Sequence, residues 1–146
     1  MKLAIASDHA GFELKEALIK AFPEHEWMDF GTGSTASMDY PDSGFPAAKA
    51  VSEGICEKGI LICGSGIGMS ITANKVSGIR AALCNCTDTA RLSRMHNDAN
   101  ILVLAGRFTA VPYAIDIAKA WIQTAFEGGR HQNRINKISK IEGERS

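Results

Sequence analysis

Five short apolar stretches, at residues 3–6, 26–30, 60–63, 80–84 and 101–104, alternate along this chain with stretches patterned for helix. That alternation constrains the fold more than any other feature. Strands joined through crossover helices run parallel and are covered on both faces of their sheet. Helical spacing is clear in Leu14, Ala17, Leu18, Ala21 and Phe22, and again in Ile115, Ala118, Trp121, Ile122 and Ala125. Residues 47–56 and 67–75 also read as helices. Thr87 suits an N-cap, with Asp88 in the first turn of a helix that ends near His96-Asn97-Asp98. Pro112 suits the first turn of the helix that follows the fifth strand. Residues 31–44, rich in Gly, Ser, Thr and Asp and carrying Tyr40-Pro41, read as a long loop. After the break at Gly128-Gly129, a last helix carries Ile135, Ile138 and Ile141 on one side. The pattern predicts an α/β chain built as a three-layer α/β/α sandwich, with a Rossmann-like, five-stranded parallel sheet. In such sheets ligands bind beyond the carboxyl ends of the strands.

Composition narrows the function classes. The 146 residues suffice for one domain spanning 1–146 with a sizeable core. A formal net charge of zero argues against nucleic acid as a partner, which calls for a basic excess. The longest apolar run is too short to span a membrane, and Ser7-Asp8-His9 follows the first apolar stretch at once, so a signal-peptide core is not expected. None of Cys56, Cys63, Cys84 and Cys86 forms a CxxC pair. All four are read as reduced thiols, and the protein as cytoplasmic.

Chemistry concentrates at the ends of the predicted strands. Cys63 closes the third strand and opens Cys63-Gly64-Ser65-Gly66-Ile67-Gly68. The glycine spacing is neither the dinucleotide fingerprint nor a P-loop. Glycines let the chain turn sharply and let a ligand approach the backbone. A helix starting near Ile67 would aim its positive end at the same spot, favouring an anion and a thiolate. The alternatives at this point are a tight turn with a small buried cysteine, or a thiol base beside an oxyanion cradle. Asp8 and His9 follow the first strand, where they could cap a helix, bind hydroxyl groups or move a proton. His96-Asn97-Asp98 is either an ordinary helix end or a catalytic segment. Arg107 follows the fifth strand. Arg130 and Arg134 share one helix face, as a solvated pair or as a phosphate clamp.

Taken together, these segments resemble the ribose-5-phosphate isomerase B family of sugar-phosphate isomerases. The resemblance runs through Ser7-Asp8-His9-Ala10-Gly11, Asp39-Tyr40-Pro41, residues 60–68, Ala73-Asn74-Lys75, Gly78-Ile79-Arg80-Ala81, residues 92–100 and Glu127-Gly128-Gly129-Arg130-His131. It implies interconversion of ribose 5-phosphate and ribulose 5-phosphate with no metal or organic cofactor. By the same resemblance, Cys63 would be the base that moves a proton between C2 and C1. His96 would open the furanose ring, assisted by Asp8. The backbone of Gly64, Ser65, Gly66, Ile67 and Gly68 would hold the enediolate, and Asn97 would bind the sugar. His9, Arg130 and Arg134 would hold the phosphate, with Arg107 close by. Ser65 stands where some members carry threonine. Relatives that use a glutamate after the glycine turn carry it where this chain has Ser70-Ile71-Thr72. The family's homodimers and tetramers share each pocket between subunits, which would give the helix at about 131–142 a partner subunit to pack on. The alternatives are the same reaction on a hexose 6-phosphate, a non-catalytic phosphosugar-binding protein, or a thiol redox protein.

Overall fold

Apolar side chains alternate between the two faces of every inner strand, and this alternation builds the layers. The computed structural model of the chain describes residues 1–145. Strands β1 (Lys2–Ser7), β2 (Glu26–Asp29), β3 (Lys58–Cys63), β4 (Ala81–Leu83) and β5 (Ile101–Ala105) form one parallel sheet in the order β2-β1-β3-β5-β4. Ala4, Ala6, Leu61, Cys63, Ile101 and Val103 face helices α2 (Tyr40–Ser52) and α3 (Ile67–Asn74). Ile5, Ile60, Ile62, Leu102 and Leu104 face α1 (Phe12–Ala21), α4 (Thr87–Asn97) and α5 (Val111–Gln123). Each of these buried Leu or Ile side chains contributes about 1.5–3 kcal/mol by leaving water. A final helix, α6 (Arg130–Arg145), lies against α4. The three-layer sandwich expected from the sequence is therefore present.

Connections leave β1 toward β2 on one side and leave β3 toward β4 on the other. The sheet thus has its switch point between β1 and β3, where a crevice opens beyond the strand ends. Asp8 and Cys63 stand at the two lips of that crevice.

Several boundaries differ from the sequence reading. The supposed loop over 31–44 ends early, because α2 starts at Tyr40 with Pro41 in its first turn. Gly44 is a close-packing residue here, since a Cβ on it would overlap the sulfur of Met69 in α3. Ser43 is buried beside it and donates to the carbonyl of Ser7 (2.8 Å). The helix then stops at Ser52, short of Cys56, and Gly54 turns the chain at φ +75°. Cys86, not Thr87, is the N-cap of α4, and no side chain caps that end. Ala125 lies beyond α5, whose buried stripe is Ala114, Ile117, Ala118 and Trp121. Of the isoleucines of α6, Ile135 is buried, while Ile138 and Ile141 are exposed. Among the described residues, no helix is long and apolar enough to cross a membrane.

Candidate active site

The crevice at the switch point is assembled from backbone geometry. Cys63 ends β3 almost fully buried, on the face toward α2 and α3. Its carbonyl accepts from Gly106 N–H (2.8 Å), and that of Gly64 accepts from Arg107 N–H (3.0 Å), so the strand pairing continues past β3 and fixes the turn. Gly66 takes φ +79° as the N-cap of α3, with Leu83 and the Leu104 backbone where a Cβ would stand. Only glycine fits that conformation and that space. Ser70 N–H closes the first helical turn onto the Gly66 carbonyl (3.0 Å). The amides of Gly68 and Met69 consequently have no partner within α3. The amide of Ile67 is already used, donating to Ser65 Oγ (3.2 Å).

Side chains frame this turn. The Arg107 side chain lies across Gly64, 3.3 Å from where a Cβ would sit. The Tyr40 ring lies so close over Gly68 that a Cβ there would overlap it. Asp8 is buried and accepts at Oδ1 from the amides of Ala10 (3.0 Å) and Gly11 (3.1 Å), capping the short turn His9–Gly11. His9 accepts at Nδ1 from Met38 N–H (3.3 Å), so its tautomer carries the proton on Nε2. The segment at 31–39 is thereby held against the crevice. Asp8, His9, Cys63, Gly64, Ser65, Gly66, Ile67, Gly68 and Arg107 all lie at this one edge.

His96, Asn97, Arg130 and Arg134 do not. The N–H of Gly59, near the start of β3, donates to the Asn100 carbonyl (3.0 Å), so the end of α4 lies at the amino edge of the sheet. Cys63 pairs with Ala105 at the other end of β5. The four steps from Ile101 to Ala105 alone span about 13 Å at the usual strand rise. The segment bearing His96 and Asn97 is held rigidly at its own edge. Buried Arg94 donates to Asp98 Oδ1 (2.8 Å) and to the carbonyls of Ala99 (2.7 Å) and Thr124 (3.2 Å). Arg80 donates to the carbonyls of Asn97 (2.8 Å) and Asp98 (3.0 Å). Together they fix Asp98 at φ +45°, a conformation Asp tolerates better than most residues.

Around that turn the structure gathers His96 with two residues, Glu127 and His131, to which the sequence reading gave no role. The rings of His96 and His131 stack with centroids 4.3 Å apart and planes 15° from parallel. His131 is buried, and its Nε2 lies 3.5 Å from Glu127 Oε2. The spacing of Glu127 and His131 was available as a signal, but the glycines between them masked it as a chain break. His96, Glu127 and His131 each offer a metal-ligand atom, all within 4.8 Å of one another. Near-parallel rings direct their in-plane lone pairs side by side, so a single cation would require one ring to swing. A groove of about 430 Å³ runs alongside, lined by Arg80, Asn97, Ile138, Ile141 and Glu142 among others.

Two thiols outside the crevice are distinguishable by their surroundings. Burial pushes the Cys84 thiol up. Hydrogen bonding from Thr89 draws the Cys86 thiol down.

Comparison with known proteins agrees with this fold. A family model described as Ribose/Galactose Isomerase matches residues 3–138. The ribose-5-phosphate isomerase B of Escherichia coli is 44% identical over 147 residues, covering 99% of each chain. A solved structure of ribose-5-phosphate isomerase B from Clostridium thermocellum superposes with a TM-score of 0.98 at 49% identity, covering 100% of each chain. That of Mycoplasma genitalium, solved with bound ribulose-5-phosphate, gives a TM-score of 0.94 at 41% identity, covering 98% of this chain and 97% of the other.

Proposed function

The chain belongs to the ribose/galactose isomerase family, and we propose that it interconverts ribose 5-phosphate and ribulose 5-phosphate through an enediolate, in a pocket completed by a second copy of itself. The observation that carries this reading is the division of chemical labour across the sheet. One edge offers a thiol beside first-turn amides of α3 that have no partner within the helix; the other offers an imidazole, an asparagine and two arginines. Neither set suffices alone. A homodimer that brings the carboxyl edge of one subunit against the amino edge of its partner makes a complete site, and the exposed Ile138 and Ile141 suit burial in such a contact.

In that site His96 passes a proton between the C1 hydroxyl and the ring oxygen, opening the furanose, with Asp8 on the opposite lip. Cys63, as thiolate, removes the C2 proton. Charge that develops on O1 meets the Gly68 and Met69 amides at the start of α3 and their helix dipole; donors of this kind contribute about 3–4 kcal/mol each where water is excluded. Cys63 returns the proton to C1, and the O2 proton passes to O1, leaving the ketone at C2. Arg130 and Arg134, with His9 and Arg107, hold the phosphate far from the reacting carbons, where its binding helps align them. Asn97 holds a sugar hydroxyl. The four free cysteines suit a reducing cytoplasm.

Cys63→Ala is expected to lose at least about a thousandfold in isomerisation while still binding ribulose 5-phosphate in calorimetry; near-normal turnover would remove the base assignment. Running the same coupled assay on allose 6-phosphate and galactose 6-phosphate separates the pentose reading from a hexose one.

A further inference from the structure

We propose that His131 is a positioning residue for His96, acting through the stacked face and not through contact with substrate; the proposal rests on the assignment of His96 to ring opening. A histidine side chain on a helix end has a broad torsion about its second bond, so its nitrogens sweep an arc unless something fixes the ring plane. Proton delivery to a ring oxygen tolerates little such sweep, because both donor distance and direction matter. The His131 ring supplies the missing constraint, 4.3 Å away and nearly parallel. His96 itself stays partly exposed, with one ring face covered by His131.

His131 is itself immobilised. It is 7% exposed, and Glu127 Oε2 lies 3.5 Å from its Nε2. Glu127 is tied back to α4 by its own amide, which donates to the Met95 carbonyl (3.1 Å), one residue before His96. Between them, Gly128 at φ +69° and Gly129 at φ +56° turn the chain tightly enough for His131 N–H to donate to the Gly128 carbonyl (3.1 Å) at the start of α6. The loop from α5 and the first turn of α6 therefore form a rigid bracket around one imidazole. That bracket makes a platform for an acid–base group and does not require a metal ion.

Two reactions of one enzyme isolate this role. Ribose 5-phosphate enters as a closed furanose and must be opened. Ribulose 5-phosphate carries phosphate on its C5 oxygen, cannot close that ring, and exchanges its C1 proton with solvent through Cys63 alone. Aldose isomerisation and deuterium exchange into the ketose, both followed by NMR, are to be measured on the full-length protein. In His131→Ala, aldose turnover is expected to fall about tenfold while exchange stays within about twofold. His131→Phe, which restores a flat face without a charge or a hydrogen bond, is expected to return aldose turnover to within about threefold of the unsubstituted enzyme. Parallel losses in both reactions would mean a general structural defect and overturn the proposal. So would unchanged aldose turnover in His131→Ala, or a His131→Phe variant no faster than His131→Ala. His96→Asn is the reference: it should show the same split more severely. If it slows both reactions alike, ring opening is misassigned and the proposal falls with it. If it splits them and His131→Ala does not, the platform alone is wrong.

Discussion

The chemistry of the four thiols follows their positions. Cys56 sits in the core behind β2, where burial pushes its thiol up, and Cys84 is raised in the same way on the other face of the sheet. Cys86 stands at the N-cap of α4 with Thr89 Oγ1 3.3 Å from its sulfur, and that hydrogen bonding lowers its pKa. A lowered pKa means more thiolate at any pH below it, and thiolate is the form that alkylates. Cys63 is only 3% exposed, so a maleimide reaches its sulfur less readily than that of half-buried Cys86. Limiting maleimide at neutral pH should therefore label Cys86 first, leaving isomerase activity near its starting value, and Cys86→Ser should remove that first equivalent in peptide mapping. First labelling at Cys63, with parallel inactivation, would show that its pocket is open to reagents much larger than a sugar hydroxyl. Any thiol titration aimed at Cys63 is best read in the Cys86→Ser background.

Elements were legible in the sequence where the signal is local. The strand–helix alternation, the turn after Cys63 and the breaks at Gly128-Gly129 all follow from patterns within a few residues. The start of α2 was not legible, because Gly44 and Pro41 read as turn residues until Met69, on a different helix, explains why position 44 has to be small. Thr87 failed as a cap for a similar reason: Cys86 already holds the extended conformation that a cap requires. Strand order and the stacking of His131 on His96 depend on contacts between elements that no local pattern encodes. Gly66 is the position where local and long-range demands coincide. Its φ of +79° disfavours any side chain, and a Cβ would press on Leu83 and the Leu104 backbone. Gly66→Ala should lower stability by about 1–3 kcal/mol, seen as an earlier urea midpoint at unchanged slope. Because the same turn carries the α3 amides, kcat should fall further than the population of folded protein accounts for. A variant with an unshifted midpoint and full activity would show that the turn can adapt, and the strict geometry argued for the amide cradle would not stand.

At the scale of the molecule, the two proposed half-sites cannot meet within one chain, since the length of the sheet separates Cys63 from the end of α4. A shared pocket makes a prediction that a pocket within one chain does not. Cys63→Ala disables the carboxyl-edge half, and His96→Asn disables the amino-edge half. Each homodimer of one variant has two broken pockets. When the two variants are unfolded together and refolded as an equal mixture, half of the dimers are hybrids. In a symmetric hybrid one pocket collects both lesions, and the other pairs an intact Cys63 with an intact His96 from the opposite chain. About a quarter of the unsubstituted activity should return on mixing, from variants that are nearly inactive alone. The recovered activity should track the hybrid fraction as the mixing ratio is varied. If each pocket were built within one chain, every site in every dimer would keep exactly one lesion, and mixing would recover nothing. Recovery near a quarter places the active site across the subunit boundary; none places it within a single chain, and the docking of one sheet edge against the other would have to be abandoned.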